Sequence, residues 1–161
     1  MPHRMEADIP RPLMQRLDGE SLEHKVGDTF LLISVGETGW PHVAMLSVGE
    51  VLAISERRLR LALWPGSHTT LNLRRTGLAT LMAVVPPTTY YLRLRSEPLP
   101  DIRVGTSQRA VFEAVPTEVL DDSVAYAEVT SGIRFTLADR DRSVADWQAT
   151  VRALREPLTR R

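Results

Sequence analysis

The chain has 161 residues, 43% of them hydrophobic and 25% charged, the profile of one folded domain. Lys and Arg together number 20, as do Asp and Glu, so the net charge is zero; this argues against a basic nucleic-acid-binding domain and an acidic disordered tail. Cysteine is absent, which excludes disulfides, thiolate metal sites and cysteine nucleophiles and fits a cytoplasmic location.

Residues 1–27 read as an N-terminal lead-in. Pro2, Pro10 and Pro12 make its start irregular, and Leu13, Met14 and Leu17 suit one or two helical turns ended by Asp18-Gly19. Charges and prolines interrupt every apolar stretch before Asp28, so no signal peptide is expected. No apolar run approaches the ~20 residues that span a bilayer, so no membrane is expected either. Thr29–Val35 is a predicted strand, followed by a turn at Gly36–Gly39. Pro41 can open the next strand, because a missing N–H is tolerated at a strand's first residue. That strand runs His42–Val48 and continues as Val51–Ile54, with Gly49 as a bulge. After a turn at Ser55–Arg58, Leu59, Leu61 and Leu63 alternate with Arg58, Arg60 and Ala62, a strand buried on one face.

Pro65-Gly66 stops that strand. Ser67 or Thr69 can cap a short helix, which Gly77 can end in the left-handed conformation. Leu78–Val85 is a strand apolar on both faces, as one covered on both sides would be. Pro86-Pro87 breaks it. Tyr90, Leu92 and Leu94 then alternate with Tyr91, Arg93 and Arg95. Glu97–Gly105 reads as a proline-rich loop, Gln108–Val119 as a strand interrupted by Pro116, and Gly132–Leu137 as a last strand. Val144, Trp147, Val151, Leu154 and Leu158 lie on one helical face, with Ser143 and Asp146 at capping-box spacing and Pro157 at the end. The fold class is α+β, mainly β, barrel-like, with a short inner helix and a C-terminal amphipathic helix.

Several chemistries have no motif here. No Gly-rich phosphate loop, GxGxxG or GxSxG is present, and His3, His24, His42 and His68 show no metal spacing. Asp121-Asp122 and Asp139 with Asp141 read as solvated turns. The informative segment is Leu63–Arg75. A strand ends there in Trp-Pro-Gly, and Ser67-His68-Thr69-Thr70 open a helix whose free N–H groups favour an anion. Either these hydroxyls receive a phosphate or they only cap the helix. Arg57, Arg58, Arg60, Arg74 and Arg75 form a solvated face or a field around that phosphate. Trp64, Tyr90 and Tyr91 either stack on a planar ligand or pack the core, and Tyr90 and Tyr91 must point to opposite faces. Trp147 reads as packing.

The segments Phe30–Val35, Gly39-Trp40-Pro41-His42-Val43, Leu59–Trp64, Ser67–Arg75 and Ala79–Met82, in this order, resemble the FMN-binding split barrels of the pyridoxamine 5′-phosphate oxidase family. The resemblance implies a split barrel of about six or seven antiparallel strands over residues 28–138, with residues 139–161 forming a helix packed on it. It implies FMN at a homodimer interface, the ring beside Ala44, Met45, Leu46 and Ser47, and the phosphate held by Leu63, Trp64, Ser67, His68, Thr69, Thr70 and Asn72. The family oxidase carries Ser-Arg-Lys where this chain has Ser67-His68-Thr69, and an Arg near the place of His42. Arg74, Arg75 or an Arg of a second subunit would then supply the cation, and deazaflavin or haem are alternative cofactors. The oxidase's C-terminal Arg-Leu-x-Pro segment is missing, so vitamin B6 oxidation is not expected. The implied function is a flavin-dependent oxidoreductase with a small-molecule redox partner. The alternatives are a binding module without turnover and a purely structural protein. No acid or base stands out among the side chains.

Overall fold

The computed structural model describes residues 1–159. The expected C-terminal helix segment therefore has its last two residues outside the described region. Eight strands, β1 (His3–Met5), β2 (Phe30–Val35), β3 (Pro41–Leu46), β4 (Val51–Ser55), β5 (Arg58–Leu63), β6 (Leu78–Val85), β7 (Thr88–Val104) and β8 (Ser107–Asp122), form one antiparallel sheet. Three helices accompany them: α1 (Arg11–Arg16), α2 (His68–Thr76) and α3 (Arg140–Arg155). No helix among the described residues is long and apolar enough to cross a membrane.

The strand order is β3-β2-β6-β7-β8-β5-β4, with β1 added to β8. Consecutive strands β3 and β4 thus lie at opposite edges of the sheet, yet only residues 47–50 join them. Such a short link forces the sheet to curl until its two edges meet, which is how a barrel closes without a ladder across its split. Inside lie Leu32, Leu52, Leu59, Leu61, Leu81, Leu92 and Phe112, all nearly inaccessible. Ile9, Leu13, Leu17 and Leu22 from the N-terminal segment join the same core.

Four sequence expectations need correction. Glu97–Val104 is not a loop but the second half of β7, paired with β8. The ladder slips between Leu99 and Ile102, and this irregularity accommodates Pro100, which cannot donate to a ladder. Pro116 likewise does not interrupt β8. A slip opposite Arg93 and Leu94 leaves Thr117 to donate its hydroxyl to the Arg93 carbonyl (3.2 Å). Val51–Ile54 is a separate strand rather than a continuation, because the chain turns at Ser47–Glu50, where the Glu50 N–H meets the Ser47 carbonyl (3.1 Å). Gly132–Leu137 joins no ladder; side chains hold it, with Arg134 reaching Asp28 and Phe135 edge-on to Trp147.

Helix α3 begins earlier than the Ser143 signal implied. Asp139 is its N-cap and accepts from the Arg142 N–H (3.1 Å). Its buried face carries Val144, Trp147, Val151 and Leu154, and it ends before Pro157, with Glu156 extended as a residue before proline prefers. The helix also explains why β5 is buried on both faces. Arg60 is 9% exposed, and its Nη1 donates to the Leu154 and Glu156 carbonyls (2.6 and 2.7 Å) at the helix's negative end. Arg57 pairs instead with Asp8 (2.5 Å), so the arginines of this stretch do not form one patch.

Candidate functional site

Helix α2 is built as its sequence signals require. Ser67 caps it, accepting from the Thr70 N–H (3.2 Å), and Gly77 ends it at φ 67°. The Ser67 hydroxyl also donates to Thr70 Oγ1 (3.1 Å), which in turn donates to the Trp64 carbonyl (2.7 Å). These two hydroxyls are therefore occupied in tying the helix to the end of β5. Thr69 is 2% exposed and Leu63 3%; both are interior residues, and Ala44 is half-buried against the core. Asn72 is buried as well and donates to Ser34 Oγ (3.0 Å), which fixes α2 on β2.

The solvent side of α2 carries His68 at its start and Arg74 and Arg75 in its last turn. The His68 and His42 rings lie 5.5 Å apart, one on α2 and one on β3. Together with Asn72, Arg74 and Arg75 they line an open cleft of about 800 Å³. Arg75 donates to the Val35 carbonyl (2.5 Å), and Arg74 faces Asp101 (3.8 Å). Trp40, 78% exposed, and Glu37 stand at the rim.

A second cavity of about 500 Å³ opens at the other end of β3, where the barrel edges meet. Met45, Leu46, Ser47 and Trp64 line it, so the structure divides the residues expected to hold a cofactor between two places. Both volumes fall in the ordinary range of small-molecule sites, roughly 300–1,000 Å³. His42 and Leu46 are four positions apart, so strand geometry separates the two sites by about 13 Å.

The 500 Å³ cavity also holds side chains that sequence reading passed over: Glu50, Arg109, Phe135, Asp146 and Trp147. Trp147 does pack the core, at 9% exposure, but the same ring forms a wall. Arg109, 7% exposed, lays its guanidinium 3.8 Å over the centre of the Trp64 ring and directs Nη2 to Asp146 (3.5 Å). Glu50 Oε2 accepts from the N–H and the hydroxyl of Ser47 (2.7 and 3.0 Å). Burial nevertheless pushes the Glu50 carboxyl above its usual range. The Ser47 bonds and Arg109 offset this in part, and Asp146 adds to it. The signal in sequence was Ser47-Val48-Gly49-Glu50, a hydroxyl three residues before a carboxylate, together with a lone Arg109 beside the apolar run Ala110–Phe112. Neither reveals burial. Tyr90 is a core residue, whereas Tyr91 is half-buried and its hydroxyl meets Asp122 (3.4 Å).

Among the described residues no three His, Asp or Glu side chains gather as a metal site requires.

No protein-family model matches the chain. The uncharacterized protein YclD of Bacillus subtilis (strain 168) is 36% identical over 143 residues, which is 89% of this chain and 93% of that one. A Lactobacillus delbrueckii protein assigned as a pyridoxamine 5′-phosphate oxidase superposes with a TM-score of 0.56 at 15% identity, over 72% of this chain and 97% of its own. HupZ of Group A Streptococcus gives 0.52 at 12% identity, over 73% and 98%. The chain thus belongs to the family of YclD and has the split-barrel fold of pyridoxamine 5′-phosphate oxidase-like proteins.

Proposed function

We propose that the chain is a flavin-type cofactor-binding protein, with FMN as the cofactor, acting as an oxidoreductase on a small molecule. The observation that carries this reading is the pairing of two sites along β3: a cleft lined by His42, His68, Arg74 and Arg75, and an aromatic cavity at Met45–Ser47 and Trp64. A phosphate suits the first, where two imidazoles, Arg74 and Arg75 offer charge-assisted hydrogen bonds. A planar ring suits the backbone of Ala44–Ser47, with its edge at the mouth of the cavity. The interior of the cavity is then left for the redox partner.

In this reading His42 and His68 take over from the Arg and Lys of the related oxidase. Ser67 and Thr70 act indirectly, by holding the helix start in place. Flavin, when bound, supplies hydride and electron transfer. The protein's part is to orient the ring along β3, to shield it with Trp64 and Trp147, and to hold a proton-exchanging carboxyl, Glu50, nearby.

A homodimer in the reducing cytoplasm completes the proposal. Val35, Val43 and Met45 project from the outer face of β2 and β3 at 47, 53 and 67% exposure, a surface that a second copy would cover.

The test is the visible absorption spectrum of the purified protein before and after FMN is added and the excess removed. Retained bands near 370 and 450 nm, approximate flavin positions, support the reading. No retained flavin overturns it, and haem and deazaflavin are then tried on the same sample. Reduction of the bound flavin by a nicotinamide separates an oxidoreductase from a binding module without turnover.

A further inference from the structure

The side chains that line the 500 Å³ cavity ask for no charge from a ligand. Glu50 after β3 and Asp146 on α3 stand against Arg109 on β8 and Arg134 in the segment that crosses the mouth. Arg109 meets Asp146 (3.5 Å) and acts on Glu50 as well, and Arg134 shares Asp28 with Arg16. The rest of the wall is largely apolar. Phe135 and Trp147 meet edge to face with ring centres 6.4 Å apart, and Met45, Leu46 and Ile133 complete the apolar lining. Such a wall suits a flat, uncharged body.

One polar atom is left to face that body. Glu50 Oε2 accepts from the N–H and the hydroxyl of Ser47 (2.7 and 3.0 Å). Ser47 Oγ accepts in turn from the Gly49 N–H (3.3 Å), which leaves its own hydrogen for Glu50. The turn therefore holds the carboxyl by one oxygen. Oε1 has no hydrogen-bond partner among the described residues. Nor is it sealed in protein, since Asp121 Oδ1 is the only buried side-chain oxygen without a partner among them. Burial pushes this carboxyl towards its neutral form; the Ser47 bonds and Arg109 offset that in part, and Asp146 adds to it. A proton taken up there goes to Oε1, because Oε2 already receives two donors. An O–H on an apolar wall selects for an acceptor at one place on an otherwise apolar ligand.

We propose that this cavity binds an uncharged aromatic carbonyl compound, with its ring against Phe135 and Trp147 and its carbonyl oxygen accepting from Glu50 Oε1. The inference rests on the reading of the cavity interior as the redox partner's site and names that partner's class. Glu50 selects through a hydrogen bond rather than an ion pair. Ser47 is a positioning residue, which leaves Oε1 for the ligand by occupying Oε2.

The experiment titrates the purified protein calorimetrically with acetophenone and with ethylbenzene, which has the same shape but no acceptor, with and without added FMN. Acetophenone affinity is expected to fall by about fivefold or more between about pH 5 and about pH 8, as Glu50 loses the proton it donates, the scale of one hydrogen bond. Ethylbenzene affinity should not change. The charged groups around Glu50 are Arg109, Asp146 and Arg134, and no histidine lines the cavity. Glu50→Gln leaves all three in place. Its amide offers the carbonyl to Ser47 and an N–H to the cavity, so it stands in for the protonated carboxyl at every pH. The variant should bind acetophenone as the native protein does at the acid end, with no pH dependence. Two results overturn the proposal: native affinities for the two probes that respond alike to pH, which needs no variant, and a Glu50→Gln variant that keeps the native pH profile. The FMN arm separates the two readings. Glu50-dependent acetophenone binding without flavin retention keeps this inference and discards FMN, and flavin retention with no such pH dependence does the reverse.

Discussion

Gly49 and Trp147 stand so close that no side chain fits between them. A Cβ added to Gly49 would lie 2.2 Å from both Cγ and Cδ1 of Trp147. The contact, not a left-handed backbone, is what demands glycine here, since Gly49 is not among the positive-φ glycines. Residue 49 sits in the link that closes the barrel, and Trp147 is the helix residue that seals it.

Gly49→Ala must therefore push α3 outward or force the indole off its rotamer. Overpacking of this kind costs about 1–3 kcal/mol. Urea unfolding should show a lower midpoint with an unchanged slope, together with a shift in tryptophan emission. An alanine variant as stable as the native chain would mean that α3 does not close on the barrel as described.

Glu50 makes stability depend on pH with a defined sign. The unfolded carboxyl titrates near 4.5, and burial raises the folded value. Between the two the native state holds more protons than the unfolded one, so stability falls as pH rises through that window. Glutamine has no such titration. The stability advantage of Glu50→Gln over the native chain is expected to grow as pH rises above about 4.5 and then to level off, as thermal unfolding across pH would show.

The roles of hydroxyl and imidazole at α2 can be separated. Ser67→Ala removes a cap and should cost about 1 kcal/mol of stability with little change in FMN retention. His42→Gln with His68→Gln should leave stability nearly unchanged and weaken FMN by about tenfold or more, while riboflavin, which lacks the phosphate, is unaffected. A Ser67→Ala variant that folds normally but releases FMN would show that Ser67 is a direct phosphate ligand.

Met45→Glu places a charge on the exposed apolar face of β3. If two copies join there, the variant should sediment as a monomer where the native chain sediments as a dimer. It should also lose flavin, because an interfacial site needs both subunits.

Much of this architecture could be read from residue order. The strands at Leu59–Leu63 and from Leu78, and the paired caps Ser67 and Gly77, each follow a local rule, although α3 buries β5 on both faces where its alternation predicted one. The failures share a cause. Pro98 and Pro100 look like loop residues, but Pro98 pairs in register with Phe112 and a ladder slip accommodates Pro100, and both depend on the partner strand. Gly132–Leu137 has strand-like composition but joins no ladder, and side-chain contacts hold it instead. Asp139 and Ser143 are both good caps, and only packing decides between them. The same holds at the site. The two histidines were visible, but their pairing across β3 and α2 was not. Glu50 carried no signal of its own in the sequence, and only the fold brings it to one cavity with Trp147, Arg109 and Asp146.

The β7–β8 hairpin has a consequence for the order in which the chain folds. Its two strands, 17 and 16 residues long, are joined at Gly105-Thr106, so their pairing closes almost no loop. Every other strand of the sheet lies outside it, and β5 and β1 reach β8 only across long stretches of chain. Closure entropy rises with such separation and slows the contacts that need it. The short hairpins β2–β3, β4–β5 and β6–β7 likewise close little chain, so these local pairings are expected to precede the β5–β8 ladder and the meeting of the β3 and β4 edges. The cavity between them would then exist only in the finished molecule, and ligand binding would report the final folding step rather than an early one.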